Sequence, residues 1–415
     1  MKKLYFFIAL FLLSLTVSAQ FKVELVWKKT SAEATYMTAT QRSMIALDDK
    51  LYITNQGDAN IAVVDAKTGD FIKNITTGVS TGFFAKNCIY LTEDNVALLG
   101  SSGTGSNIFT IYVCDLETGA TNLLKTIAMT GFGRTDYFSA CGSFNSAQEG
   151  GYIALASNTG NITTIPMSSG TLGEITSPFI TGLTGISATT FPKDDNSFFV
   201  VARSAERRLY KKDGSYTAFS GIESSEQSSN SGGLYFKFID KEFLVVSIGN
   251  MGAVRIFNVT NDFNKSYTSP SLRTKPPVGP PIAGSNSPIY TTDALGTTSV
   301  QASTAITAMA KEDKGDHVMI YLHCVNNGIA AYKLSEEPGM GIMENETAVD
   351  KVNAFSRGGV LVVDSALGDD ILVYDISGRV LYNKTASQQT TEISGLTPDQ
   401  IVIVKIGKKV MKVKL

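Results

Sequence analysis

The sequence predicts an all-β protein, a β-propeller of six blades (seven if the weaker units are split) followed by a small C-terminal β-sandwich. Three observations predict it. Apolar runs of four to six residues alternate with Gly, Asn, Asp and Thr turn clusters along the chain, and no stretch carries a convincing helical period. The turn Asp65-Ala66-Lys67-Thr68-Gly69 returns about fifty residues later as Asp115-Leu116-Glu117-Thr118-Gly119, the internal repetition expected of a radial array. The last repeat lacks an outer strand, which the isolated run at residues 21–27 can supply, closing a ring and removing its open edges.

The first blade is the clearest. Tyr52 and Ile53 lie in an apolar run, and Asn55, Gly57, Asp58 and Asn60 form a turn. Residues 61–64 make a second strand, 65–69 a tight turn, and 71–75 an alternating third strand. Tyr52-Ile53-Thr54-Asn55, the Asp65 to Gly69 turn and its closing strand together resemble the YVTN repeat of bacterial and archaeal surface propellers. The resemblance implies a fold and no ligand. Asn55 and Asp65 are expected to hydrogen-bond turn backbone, and Gly69 to take a positive φ.

Four-strand units then follow in order. The second has strands at 88–91, 96–99, 109–113 and 123–127, and the third at 137–140, 152–156, 162–166 and 174–180. Weaker units cover 187–222, with strands at 198–202, 208–210 and 216–219, and 233–272, with strands at 235–239, 243–248 and 253–258. The final unit has strands at 304–310, 318–324 and 328–334. Residues 273–288 carry Pro276, Pro277, Pro280, Pro281 and Pro288, which exclude a central strand; a loop between blades is expected there, continuing to about Ser303.

The ends of the chain define the remaining segments. Lys2 and Lys3, an apolar run of roughly fourteen residues and Val17-Ser18-Ala19 predict a signal peptide at 1–19, too short to span a ~30 Å hydrocarbon core. The propeller is expected at 20–335, a Pro- and Gly-containing linker at 336–350 and the β-sandwich at 351–415. The last segment holds β-branched runs and the turn Tyr374-Asp375-Ile376-Ser377-Gly378-Arg379, then Gly395-Leu396 and a final Lys-Val strand. It resembles the sorting domain of type IX secretion cargo, with Asp399 and Ile401 standing where that family has Gly and Tyr. The two resemblances and the leader imply an exported protein of the periplasm, cell surface or medium.

Composition narrows the chemistry. A net charge of −2 with 18% charged residues and no basic block argues against a nucleic-acid partner. Arg203, Arg207, Arg208, Lys211 and Lys212 cluster, but Glu206 and Asp213 interrupt them, which favours a solvated blade edge over an anion site. Cys88, Cys114, Cys141 and Cys324 have no Cys-x-x-Cys spacing. They read as small buried hydrophobes, with Cys88 and Cys114 the best pair if a disulfide forms. His317 and His323 share one face if one strand carries both; core or surface roles are favoured over a metal site. Asp58 with Asn60, Asp194-Asp195-Asn196 and Asp369-Asp370 are turn groupings without the EF-hand pattern. The glycine-rich stretch 100–105 lacks the Lys-Ser/Thr and helix of a phosphate loop. Most aromatics are expected to pack between blades; among those in loops (Phe83, Phe84, Phe132, Tyr290), Phe132 is the most plausible exposed one, because the flanking Gly131 and Gly133 permit a projecting turn.

No residue is assigned a catalytic or cofactor-binding role, no cofactor is expected, and metal-ligating and ligand-binding residues stay unassigned. The leading expectation is a non-catalytic propeller that binds a protein or glycan through one face of the disc, with no transmembrane segment after leader removal. The alternatives are a polysaccharide-active enzyme, with convergent carboxylates or tyrosines of shifted pKa at the tunnel mouth, and a cell-surface structural protein.

Overall fold

Short strands bounded by Asx and glycine turns pair with their neighbours in sequence, and the computed structural model shows five four-stranded meanders followed by a three-stranded one that the first strand of the propeller completes. It describes residues 20–56, 60–79, 84–104, 108–148, 150–175, 188–202, 207–219, 233–248, 252–260, 289–296, 308–337, 353–357, 360–365, 368–388, 390–398, 400–406 and 409–415. Every regular element among them is a strand.

Strand β1 (Gln20–Thr30) precedes the first blade, β2 (Gln41–Leu47), β3 (Lys50–Asn55), β4 (Asn60–Asp65) and β5 (Phe71–Thr76). Blade 2 is β6 (Cys88–Leu91), β7 (Ala97–Gly100), β8 (Ile108–Cys114) and β9 (Thr121–Ala128). Blade 3 is β10 (Phe138–Cys141), β11 (Tyr152–Ala156), β12 (Ile162–Ser168) and β13 (Thr171–Leu172). Blade 4 is β14 (Ala188–Asp194), β15 (Ser197–Ala202), β16 (Arg207–Lys211) and β17 (Tyr216–Phe219). Blade 5 is β18 (Gly233–Phe238), β19 (Lys241–Ile248), β20 (Ala253–Asn258) and β21 (Tyr290–Thr291). Blade 6 is β22 (Ala308–Asp313), β23 (His317–Cys324) and β24 (Gly328–Glu337), with β1 hydrogen-bonded to β24 as its outer strand.

The first strands of the blades touch in a closed cycle, β2 to β6, β6 to β10, β10 to β14, β14 to β18, β18 to β22 and β22 back to β2. The cycle leaves no place for a seventh blade. Facing sheets bury apolar side chains between them. Met44, Ala46, Ile53 and Val64 of blade 1 meet Ala308, Tyr321 and Ala331 of blade 6. Ile45, Tyr52 and Val63 meet Ile89, Leu99 and Cys114 of blade 2.

The repeated turn docks blade 1 on blade 6 and blade 2 on blade 1. Asp65 Oδ1 accepts from the amides of Lys67 (2.8 Å) and Thr68 (3.0 Å), and Asp115 Oδ1 does the same for Glu117 (2.8 Å) and Thr118 (3.2 Å). Gly69 and Gly119 have φ of 72° and 78°. A Cβ on Gly119 would lie 2.3 Å from the Thr76 carbonyl at the end of β5, so only glycine fits against that strand.

Two strand expectations are corrected. The outer strand of blade 3 is Thr171–Leu172, because Ser169 and Gly170 (φ 49° and 73°) turn the chain at once and pair Met167 with Leu172; of the expected strand at 174–180, residues 174–175 are not strand and 176–180 lie outside the described residues. Blade 5 takes its outer strand from Tyr290–Thr291, inside the stretch expected to be loop, pairing Ile256 with Tyr290. The proline segment 273–288 and the linker 338–350 lie outside the described residues.

The chain divides into two units, with Lys22–Ser335 in one and Glu336–Leu415 in the other. The second unit contains β25 (Asn353–Arg357), β26 (Val360–Asp364), β27 (Asp370–Asp375), β28 (Val380–Thr385), β29 (Thr390–Ile393), β30 (Ile401–Ile406) and β31 (Lys409–Lys414). These form a three-stranded sheet, β25-β26-β29, and a four-stranded sheet, β28-β27-β30-β31. Leu361, Val363 and Ile393 of one sheet pack with Ile371, Val373, Val402 and Val404 of the other, which makes the unit a sandwich. In its 375–379 turn, Asp375 accepts from the Ser377 and Arg379 amides and from Arg379 Nε (3.0 Å).

Candidate functional site

Because each blade contributes four antiparallel strands, the six inner strands run in one direction, starting at one face of the disc and ending at the other. They enclose a tunnel cavity of about 680 Å³ lined by all six. At the starting face its lining includes Arg42 and Tyr137. Toward the ending face it includes Lys193, Lys237 and Lys311 on blades 4, 5 and 6, and Asp48 and Glu93 on blades 1 and 2.

The starting face holds a buried polar cluster. Arg42 Nη1 donates to the carbonyls of Ala39 (2.9 Å) and Gln41 (2.8 Å), and burial lowers its pKa against the pull of Tyr137 and Asp136. Asp136 accepts from Arg134 Nε (2.9 Å) and Ser102 Oγ (2.6 Å). His323, fully buried, is pushed down to about 3 by burial and then by the Arg42 charge. The neutral ring therefore meets Gln41 Oε1 through Nε2–H at 3.0 Å.

The ending face is locked by its turns. Burial works against the Asp94 carboxylate, but the amides of Asn145 (2.9 Å) and Phe144 (2.7 Å) and the Thr92 hydroxyl (2.7 Å) outweigh it and hold its pKa well below the ordinary range. Asp49, bonded by Lys314 and then Lys67, is held at about 2, and its amide donates to Glu312 Oε1 of blade 6. Asp194 is opposed by burial but lowered by Ser197 Oγ (2.7 Å) and the Asn196 amide (3.1 Å). These carboxylates are acceptors fixed in their anionic form, suited to joining turns rather than to delivering protons.

Inside the mouth, two lysines lie over aromatic rings. Lys193 Nζ is 5.7 Å from the Tyr235 ring centre and 3.2 Å from Asp194 Oδ2; Lys311 Nζ is 5.8 Å from the Phe236 ring centre. Lys311 is reached by solvent through the tunnel yet surrounded by protein, so burial lowers its pKa while Asp313 and Glu93 partly restore it. Burial raises the pKa of tunnel-lining Tyr90, Tyr137 and Tyr235, which keeps these phenols protonated.

The residues singled out in the sequence fall elsewhere. Phe132, the loop aromatic most open to projection, is 3% exposed and packs with the rest of the core. Gly131 and Gly133 (φ 76° and 100°) turn the chain inward, and Asn161 Nδ2 clamps the carbonyls of Gly131 (2.9 Å) and Phe132 (2.8 Å), so the ring joins the core between blades 2 and 3. Phe84 lies 6.0 Å from the Arg134 guanidinium and Tyr290 6.1 Å from Tyr332. All four cysteines are free and buried. Cys88 and Cys114 occupy strands separated by β7, about 10 Å apart at sheet spacing, and face different neighbouring blades, so they cannot bridge.

His317 and His323 share β23 but stand about 20 Å apart along it and bond different partners, Asp316 (2.6 Å) and Gln41. Among the described residues no group of three or more His, Cys, Asp or Glu side chains could hold a metal. Arg208 lies over Tyr216 at 4.2 Å and Lys212 over Tyr152 at 4.6 Å, so the basic cluster splits between two aromatic contacts. Asp370 accepts from Thr385 (2.8 Å) and Asn60 from Thr76 (2.8 Å), each bond joining directly opposed residues of neighbouring strands. Phe83, Asp58, Arg203 and Asp399 lie outside the described residues.

Sequence reasoning missed Lys193, Lys237 and Lys311. The available signal was positional: each sits at or near the end of its unit's inner strand, one to three residues before a turn aspartate (Asp194, Asp240 and Asp313).

These sheets define the chain as a six-bladed β-propeller with a β-sandwich unit. No protein-family model matches the sequence, and no curated protein matches it. Among solved structures it is similar to the PQQ-bound aldose sugar dehydrogenase of Streptomyces coelicolor, with 12% identity over 76% of this chain and 99% of that one and a TM-score of 0.42. At that level the likeness carries no argument here. No helix among the described residues is long and apolar enough to cross a membrane.

Proposed function

We propose that this is an exported, non-catalytic binding protein that takes a protein or glycan ligand at the tunnel mouth where the inner strands end, with the sandwich unit acting as its sorting domain. One observation carries the reading. All six blades converge on a cavity of about 680 Å³ whose mouth mixes lysines with aromatic rings, while neighbouring turn carboxylates are committed to hydrogen bonds between blades. Such a lining binds polar ligands. Burial keeps the tunnel-lining tyrosines Tyr90, Tyr137 and Tyr235 protonated, which leaves their hydroxyls as donors to a polar ligand. The leader-like residues 1–19 and the resemblance of residues 351–415 to sorting domains support export.

The test is a glycan array and a surface-protein pull-down with the purified chain, run beside a screen for polysaccharide cleavage. Saturable binding without cleavage supports the reading. Cleavage that is abolished by substitutions at the tunnel mouth overturns it.

A further inference from the structure

The ending mouth of the tunnel carries lysines from three consecutive blades. Lys193, Lys237 and Lys311 come from three consecutive inner strands, β14, β18 and β22. The tunnel-lining carboxylates are Asp48 and Glu93 of blades 1 and 2 and, beside Lys311 on β22, Glu312 and Asp313. Strand geometry explains the lysine grouping. Phe191 of β14 packs on blade 5, where it meets Leu244 and Val246, and the bulge between Pro192 and Asp194 leaves Lys193 over Tyr235 of the same interface. Tyr235 and Lys237 share the opposite face of the same interface, where Tyr235 meets Phe199. Phe236 points the other way, under Lys311. The aromatic pair thus sits between the lysines, with Lys193 on one ring and Lys311 on the other.

Lys193 is partly neutralised by Asp194, whereas Lys237 and Lys311 have no carboxylate within 4 Å among the described residues. Lys311 is open to the tunnel and lies over the Phe236 ring, where its ammonium can meet an anion entering the mouth.

Resting on the reading of the tunnel mouth as a binding site, we infer that Lys237 and Lys311, assisted by Lys193, form a receptor for an oxyanion on the ligand: a carboxylate, or a sulfate or phosphate group. Tyr235 and Phe236 supply the apolar floor between the charges. The ligand class is therefore an acidic saccharide or similarly charged small polar molecule.

The experiment measures thermal stabilisation of the full purified chain by sodium glucuronate, inorganic sulfate and inorganic phosphate. Glucose is the neutral control and sodium chloride the ionic-strength control. At least one oxyanion is expected to give saturable stabilisation with an apparent Kd of about 10 mM or tighter. Lys237→Met and Lys311→Met are each expected to weaken it about tenfold or more, as loss of a charge-assisted bond implies. The probe that binds best separates a carboxylate from a sulfate or phosphate source. A second readout needs no variant: in the wild-type chain the same oxyanion should slow acylation of Lys311, followed by peptide mass mapping.

Absence of saturable stabilisation together with unchanged Lys311 acylation overturns the inference. So does oxyanion binding that survives both substitutions undiminished. Neutral glycans binding at the mouth while all three oxyanions fail would sink the inference and leave the proposed function standing; no ligand of any class would sink both.

Discussion

Trp27 Nε1 donates to the Ala66 carbonyl at 2.9 Å, and the same indole covers Gly69 so closely that a Cβ there would lie 2.7 Å from the ring. Trp27 belongs to β1, the outer strand of blade 6, and Ala66 and Gly69 belong to the last turn of blade 1. One side chain from the beginning of the propeller thus joins the final blade to the first.

Gly69→Ala is expected to destabilise the propeller by about 2–4 kcal/mol, combining a positive φ with overpacking against the indole. Trp27→Phe, which keeps a ring but loses the donor, should cost about 1 kcal/mol. Urea unfolding measures both; a neutral Gly69→Ala would contradict the contact.

Asp94 fastens the blade 2 turn to the blade 3 loop through the Phe144 and Asn145 amides. Asp94→Ala should cost about 1–3 kcal/mol. Its folded pKa lies below the unfolded value of about 3.9, so the unfolded chain takes up the proton first on acidification. The contribution is complete above about pH 4 and is lost as pH falls through the folded pKa. Stability measured from pH 5 to pH 2 should fall more steeply in the wild type than in Asp94→Ala; equal slopes would contradict this.

Burial raises the thiols of Cys114 and Cys324 to about 11 and of Cys141 to about 12, and that of Cys88 further. Ellman's reagent should therefore find none in the native protein at pH 8 and all four after denaturation. Rapid native labelling, or fewer than four thiols in the denatured chain, would be the contrary result.

Phe132→Ala should cost about 3–5 kcal/mol, the loss expected for a buried ring. A ring projecting into solvent could be removed almost without effect, so thermal unfolding of this one variant decides between the two placements.

Local chemistry made much of this fold readable. Two Asp-x-x-Thr-Gly turns announce their own geometry, because Asp65 and Asp115 bond amides two and three residues ahead and the glycines supply positive φ. The missing outer strand of the last repeat pointed to β1 for a topological reason, an open edge that needs a partner. Strands β13 and β21 escaped because two residues are too few for any period to register. The placement of Phe132 stayed open because flanking glycines permit either direction, and Asn161, thirty residues downstream, sets it. The tunnel lysines were invisible for a similar reason. Lys193, Lys237 and Lys311 belong to different blades, and closure of the ring brings them to one mouth.

Amide hydrogen exchange along β24 tests that closure most directly. With β23 on one side and β1 on the other, backbone amides throughout Gly328–Glu337 should exchange slowly, and deletion of residues 20–30 should release alternate ones. Fast exchange at every second amide of β24 in the intact chain, the pattern of an uncovered edge, would contradict the six-bladed ring and the tunnel it encloses.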